Sequence, residues 1–324
     1  MLKVDGSRAS WWKQHLSALL PEATLYLAGE EMNRDDIDYA VVWKPEPGWL
    51  KTFKNLQCIV SIGAGIDHVL CDPELPVHLP IIRTTSPDLK VRMREYVTLH
   101  VLRLHRRLQE VTAAQMVREW RQIIEPPAHE RRVGIMGVGY LGADCAATLA
   151  AIGFDVAGWA RSEKTIDRVA CFAGEAARNA FLARTDILVC MLPLTPETEG
   201  ILNEDLFDRL PDGAAVINVA RGQHLVDEDL LAALDRGKMC GATLDVFHTE
   251  PLPNDHAFWG HPNVLVTPHI ASLIDPIAGG KRIAENIKKF DAGKPIVGVS
   301  LSGAYAYDFA AAQARPRTPR QAAR

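Results

Sequence analysis

The stretch Arg131-Arg132-Val133-Gly134-Ile135-Met136-Gly137-Val138-Gly139-Tyr140-Leu141-Gly142 decides the fold. Residues 133–136 form an apolar run of strand length, and the alanine-rich segment 143–152, closed by Gly153, reads as a helix. A second strand is expected at 156–159. Between the first strand and the helix, Gly137, Gly139 and Gly142 fit the spacing G-x-G-x-x-G. Glycines also crowd ordinary turns, so a ligand-free turn competes with any binding role. In a strand–loop–helix–strand setting each glycine has a task. The first permits a tight turn, the second lets backbone approach a pyrophosphate, and the third lets helix and strand pack closely. Unpaired N–H groups near Tyr140 and Leu141, at the helix start, then face the phosphate charge.

Downstream, strands are expected at 187–192, 215–219, 242–246 and 264–266. Helical stretches separate most of them, including 227–236 with Gly237 as its cap. Strands alternating with helices imply a parallel, doubly wound sheet covered on both faces. Upstream, 11–20 reads as a helix, and 40–43 and 58–62 as buried strands. Val97, Val101, Leu104, Leu108 and Val111 then recur at helical spacing, with Arg103, Arg106, Arg107 and Glu110 on the polar positions. One amphipathic helix linking two domains is expected there. A last helix at 283–290, after Pro276, returns the chain to the first domain.

The expectation is therefore an α/β chain of two domains, as 324 residues allow. Residues 96–274 form the dinucleotide-binding domain, and 1–95 with 275–303 form the other. The Ala-, Arg-, Gln- and Pro-rich tail 304–324 has little to bury beyond Tyr305, Tyr307 and Phe309, and reads as flexible. With 48% hydrophobic and 23% charged residues and a net charge of −4, no nucleic-acid partner is implied. No apolar run reaches bilayer length, and no secretory signal opens the chain. The six cysteines (58, 71, 145, 171, 190 and 240) form no CxxC pair. That argues against a metal site or disulfide framework, suits a reducing cytoplasm, and makes most of them small buried hydrophobes.

The end of the second strand bears on which dinucleotide is taken. An acid about 20 residues after the glycines accepts bonds from the ribose hydroxyls of NAD. Here Ala160 occupies that place and Arg161 follows, with Ser162 and Lys164 as further donors. A guanidinium binds the additional phosphate of NADP in a forked, charge-assisted manner. A solvated basic loop is the competing reading. NADP(H) is thus the expected cofactor, with NAD(H) as the other candidate.

Three polar residues stand at strand ends, where open α/β sheets build their sites: Arg221, Glu250 and His269. Reducing a keto acid requires a cation to hold the carboxylate and polarise the carbonyl, and an acid to protonate the oxygen. Arginine supplies the first as a permanent charge, and histidine supplies the second near neutrality. A carboxylate beside the imidazole, the task suggested for Glu250, stabilises its charged form. Taken singly, each residue has a plainer explanation as a surface ion pair, a turn or a structural histidine. Their joint placement behind a dinucleotide loop favours chemistry.

The stretches Val219-Ala220-Arg221-Gly222, Leu244-Asp245-Val246-Phe247, Glu250-Pro251-Leu252-Pro253 and Thr267-Pro268-His269-Ile270-Ala271 resemble the signatures of D-isomer-specific 2-hydroxyacid dehydrogenases. Leu192-Pro193-Leu194-Thr195-Pro196-Glu197-Thr198 is similar to the loop that family places beside the cofactor. With Trp11-Trp12, Val42-Trp43 and Gly63-Ala64-Gly65-Ile66-Asp67, the likeness spans roughly residues 10–300 and is closest to the glyoxylate/hydroxypyruvate reductase A branch. The resemblance implies a Rossmann cofactor domain, a flavodoxin-like α/β substrate domain with the site in the cleft between them, and a homodimer acting on a small 2-keto or 2-hydroxy acid. It implies Arg221 for substrate binding, His269 as proton donor with Glu250 as partner, and Leu192, Pro193 and Asp245 at the cofactor. It also implies Trp43, Ala64 and Gly65 at the substrate; a plain tight turn and a core tryptophan remain the alternatives. Asp67 and His68 have no evident chemical task. A dinucleotide-sensing corepressor-like protein and a dehydrogenase for a bulkier substrate are the competing functions.

Overall fold

The computed structural model describes residues 1–4, 8–274, 276–296 and 299–301, so the tail at 304–324 lies outside the described residues. The chain divides into two compact units, Met1–Asp88 with the chain from Ile274 on, and Leu89–Leu273.

The first unit contains β1 (Leu2–Lys3), α1 (Ala9–Leu19), β2 (Tyr39–Val42), β3 (Cys58–Ser61), α2 (Asp67–Leu70) and β4 (Pro80–Arg83). Its strands pair in parallel in the order β1-β2-β3-β4. On the other side of β1, Leu27 forms a parallel bridge to Leu2. That segment comes second in the chain, so the spatial order is second-first-third-fourth-fifth, the flavodoxin-like winding. β3 is buried along its whole length, which is why its sequence is continuously apolar.

The second unit begins within α3 (Pro87–His105), followed by α4 (Leu108–Met116), β5 (Arg132–Met136), α5 (Gly142–Ile152), β6 (Asp155–Ala160), β7 (Val169–Ala173), α6 (Arg178–Ala183), β8 (Ile187–Cys190), α7 (Glu204–Arg209), β9 (Ala214–Asn218), α8 (Asp227–Asp235), β10 (Met239–Leu244) and β11 (Val264–Val266). The seven strands lie in the order β11-β10-β9-β8-β5-β6-β7, all parallel. Winding runs outward from β5 through β6 and β7, then restarts beyond it at β8. The β5–β8 boundary is thus the topological switch point, where such sheets place their ligands. One apolar cluster joins Val97 and Val101 of α3 and Leu149 of α5 to the sheet, and another joins Phe181, Leu206 and Leu230 of α6, α7 and α8. Helices therefore cover both faces, as a doubly wound sheet requires.

One expectation is corrected. The single helix read through Val97–Val111 breaks after His105, because Arg107 adopts a left-handed conformation (φ 48°, ψ 39°) ahead of α4. Its guanidinium bonds Glu110 and, at 3.4 Å, Glu125. Leu108 and Val111, two of the five residues of the apparent apolar stripe, are exposed. Cysteine burial also falls short of the expectation. Cys58, Cys145 and Cys190 are buried and Cys171 is half-buried, but Cys71 and Cys240 are exposed, lying at a helix end and at the register irregularity of β10 between Met239 and Gly241.

The chain then returns to the first unit through α9 (Pro276–Asp291), whose Gly279 lies so close to Trp12 of α1 that an added Cβ would stand 2.9 Å from the ring. β12 (Val299–Leu301) closes the first sheet antiparallel to β4. Among the described residues no helix is long and apolar enough to cross a membrane.

Candidate active site

The glycine loop follows β5 at the switch point. Gly137 has φ +99°, and a Cβ there would stand 2.6 Å from the Met191 carbonyl oxygen beyond β8. A Cβ on Gly142 would stand 2.1 Å from the Gly137 carbonyl oxygen. Both glycines are therefore demanded by the protein's own backbone. Gly139 differs: its φ is not left-handed, and a Cβ there would meet nothing within 4 Å. Neither strain nor packing explains that glycine, whereas close approach of a pyrophosphate to the mouth of α5 does. Beside it Tyr140 is held by Lys90 of α3, whose Nζ lies 4.3 Å from the ring centroid. The loop thus fits a dinucleotide.

β6 ends at Ala160, and Arg161, Ser162 and Lys164 that follow are all exposed. Arg161 enters no ion pair among the described residues; its field reaches Glu197, which stays below the ordinary carboxylate range mainly through a bond with Thr195. Beyond β8, Leu192 is buried and Pro193 exposed. The loop they open is closed on itself: the Thr195 N–H donates to Thr198 Oγ1 at 2.9 Å, and that hydroxyl donates to the Pro193 carbonyl at 2.7 Å.

Arg221, Asp245 and His269 follow three adjacent strands, β9, β10 and β11. Arg221 sits on a turn fixed from below. The buried Asn218 donates to the Arg221 carbonyl at 2.9 Å, and the Arg221 N–H donates to Nδ1 of buried His224 at 3.1 Å. Gly222 then presses against the next loop, since a Cβ there would lie 1.9 Å from the Phe247 carbonyl carbon. The Arg221 turn therefore abuts the segment leading to Glu250, whose Oε1 accepts from the Phe247 N–H at 3.1 Å. Glu250 meets His269 at Nδ1, 3.1 Å from Oε1 and 3.0 Å from Oε2, both side chains being partly exposed. Sequence reasoning paired these two residues, and the structure brings them together.

His269 has φ +53°, an uncommon conformation for a residue with a side chain. Asp245, 1% exposed, holds the surrounding loop: Oδ1 accepts from Thr267 Oγ1 at 2.6 Å and the Ile270 N–H at 2.8 Å, and Oδ2 from the Ala271 N–H at 2.8 Å. Burial pushes the Asp245 carboxyl up, against the pull of those bonds. Of the anchoring partners, Asn218, His224 and, through Thr267, Tyr96 lie in no quoted motif, and Thr267 opens the signature around His269. Sequence reasoning named none of them as site residues.

In the first unit the turn Gly63-Ala64-Gly65 is also built from below. Ser61 Oγ lies 3.2 Å from the Gly63 carbonyl, 3.0 Å from that of Gly65 and 3.1 Å from His68 Nε2. The Lys44 N–H donates to His68 Nδ1 at 3.1 Å, which places the ring proton on Nε2, facing Ser61. His68 therefore has a structural task. Trp43 lies against His68 with ring centroids 4.4 Å apart, and a Cβ on Gly63 would stand 2.8 Å from its ring. Trp43 thus packs on the turn.

The family model for the D-isomer specific 2-hydroxyacid dehydrogenase, NAD binding domain, matches residues 98–271. The chain belongs to this family. As a D-isomer specific 2-hydroxyacid dehydrogenase it is an NAD(P)-dependent enzyme of two α/β units. It is 43% identical over 296 residues to a glyoxylate/hydroxypyruvate reductase A of Serratia proteamaculans, covering 90% of this chain and 94% of the relative. A Yersinia enterocolitica protein of the same name is 40% identical over 301 residues, covering 90% and 94%. Among solved structures, a family member from Xanthobacter autotrophicus in complex with NADPH and MES has a TM-score of 0.86 and 39% identity, covering 92% of this chain and 96% of that one. An NADPH-dependent glyoxylate/hydroxypyruvate reductase from Sinorhizobium meliloti, in complex with NADP and sulfate, gives the same TM-score and identity, covering 92% and 97%.

Proposed function

We propose that this dehydrogenase reduces glyoxylate or hydroxypyruvate to the 2-hydroxy acid, with NADPH as cofactor. The carrying observation is the Glu250–His269 pair, 3.0 Å apart, joining the segment after β10 to the loop after β11 in a sheet whose glycine loop fits a dinucleotide. The similarity to reductases of those two acids supports the substrate class. NADPH, when bound, supplies the hydride. Arg221 holds the substrate carboxylate and polarises the carbonyl with its permanent charge. His269 in its charged form delivers a proton to the carbonyl oxygen from Nε2, on the far side of the ring from the nitrogen Glu250 holds. Glu250 orients that ring and stabilises its charge. Trp43, Ala64 and Gly65 are assigned to substrate contact by the family resemblance.

Gly137, Gly139, Tyr140, Leu141 and Gly142 are assigned to the pyrophosphate, and Leu192, Pro193 and Asp245 to the rest of the dinucleotide. Preference for NADPH rests on Ala160 standing where an acid would repel the extra phosphate, followed by exposed Arg161, Ser162 and Lys164. The NADPH and NADP complexes of similar structures support it.

A homodimer in the cytoplasm completes the reading. Met116, Val117, Trp120 and Ile124 form an apolar run in which Trp120 is 92% and Ile124 96% exposed, which a second copy would cover. The six cysteines are all unpaired, as a reducing compartment allows. The test is the fall in NADPH absorbance with a panel of 2-keto acids, repeated with NADH. Glyoxylate or hydroxypyruvate with NADPH should give the highest kcat/KM. Higher values for a bulky 2-keto acid, or binding without turnover, would sink the assignment.

A further inference from the structure

Two hydroxyls near His269, one on buried Tyr96 and one on half-buried Thr267, have no part in the chemistry just described. Tyr96 is 8% exposed on α3, and its OH lies 2.6 Å from Thr267 Oγ1, across 171 residues of sequence. Thr267 Oγ1 donates in turn to Asp245 Oδ1 at 2.6 Å. A threonine hydroxyl has one proton, so with that proton on Asp245 the Tyr96 phenol must be the donor to Thr267. The chain of bonds therefore has one direction, from Tyr96 through Thr267 to Asp245. Burial pushes the phenol up, so it keeps its proton at any working pH. The ring is braced by His100, with centroids 4.2 Å apart. Asp245 also accepts the Ile270 and Ala271 N–H groups, and the His269 N–H lies 3.0 Å from the Thr267 carbonyl oxygen. His269 is thus gripped on both flanks by a network that begins on α3.

We infer that Tyr96 and Thr267 are positioning residues for proton delivery: the chain Tyr96–Thr267–Asp245 holds the left-handed His269 in the orientation that meets Glu250. This rests on the reading of His269 as proton donor. A positive φ on a histidine persists only where its surroundings over-determine it, and these bonds are what over-determines it. A displacement of about 1 Å at a reacting group costs about a hundredfold in rate, so a loosened loop should show in kcat before it shows in binding.

The experiment compares Tyr96→Phe, Thr267→Val, Thr267→Ser and the double variant Tyr96→Phe/Thr267→Val, reading kcat, substrate KM and NADPH Kd. Tyr96→Phe should lower kcat about threefold to tenfold and Thr267→Val about tenfold to a hundredfold, with KM and Kd within about twofold of the parent. Thr267→Ser keeps the hydroxyl and should restore most of the loss. Because Tyr96 acts through Thr267, the double variant should be no slower than Thr267→Val alone. Unchanged kcat in Tyr96→Phe overturns the inference, as do losses that multiply in the double variant or fall equally on Kd. Should Thr267→Val not fold, Tyr96→Phe alone decides. If instead His269→Ala itself leaves turnover intact, it is the underlying reading of His269 that fails.

Discussion

Replacing Gly139 by alanine separates the protein's needs from the cofactor's. An added Cβ at Gly139 would meet no protein atom within 4 Å, and the residue is not in the left-handed region, so the folded state should tolerate the methyl. Alanine also restricts the unfolded chain, which stabilises by about 0.4–1 kcal/mol where the native conformation is compatible. In a unit the size of Leu89–Leu273 that corresponds to a Tm unchanged or raised by up to about 4 °C. Gly142→Ala is the control. Its Cβ would lie 2.1 Å from the Gly137 carbonyl oxygen, an overlap that must displace backbone and should lower Tm by several degrees. Dinucleotide binding should weaken in both. At Gly139 the methyl would occupy the approach to the N–H groups at the start of α5, and losing one hydrogen bond to a charged oxygen costs about 1.5–3 kcal/mol. NADPH Kd, followed by fluorescence titration, should then rise about tenfold to a hundredfold while the apo Tm holds. An unchanged Kd would refute the placement of the pyrophosphate. A fall in Tm as large as that of Gly142→Ala would refute the claim that Gly139 is free of packing duty.

Arg161→Ala should raise the Kd for NADPH about tenfold to a hundredfold and leave NADH nearly untouched; equal losses for both cofactors would remove Arg161 from the phosphate pocket. His269→Ala should lower kcat by about 10²–10⁴-fold with NADPH binding preserved, and near-normal turnover in a steady-state assay would exclude it as proton donor. Trp120→Glu, at a side chain with 92% exposure, should shift the mass seen in light scattering from dimer to monomer without lowering secondary-structure content by circular dichroism. His100 is held neutral by burial, its pKa lowered to about 4, whereas the unfolded chain takes up a proton near pH 6.5. Its contribution to stability is therefore complete above about pH 6.5 and is lost as pH falls towards 4, so the urea midpoint should drop over that window and drop less in His100→Gln.

Much of the candidate site was legible because its parts are local. The glycine spacing after 133–136, the missing acid at Ala160, and the strand ends before Arg221 and His269 are each confined to a few residues. Periodicity failed at Arg107. Leu108 and Val111 keep a helical spacing with Val97 and Val101, and spacing does not say whether an apolar face is covered by the same chain. His68 looked idle because its partners, Ser61 Oγ and the Lys44 N–H, belong to other segments of the unit. The Tyr96–Thr267 bond left no trace, since neither residue type at its position calls for the other.

The amino-acid order by itself determined that the chain winds a parallel sheet around a dinucleotide loop and carries Arg221, Glu250 and His269 behind it. Period, turn chemistry and the need of a phosphate for backbone N–H groups act over a few residues, so they are written in the sequence. Which glycines the fold itself requires was decided only in three dimensions. A Cβ on Gly137 or Gly142 would strike backbone brought there by β8 and by the loop itself, whereas a Cβ on Gly139 would meet nothing within 4 Å. The grip on His269 was likewise settled by tertiary structure, because Asp245 and Tyr96 reach its loop from β10 and α3, and hydrogen bonds of about 3 Å exist only once packing has set those elements side by side.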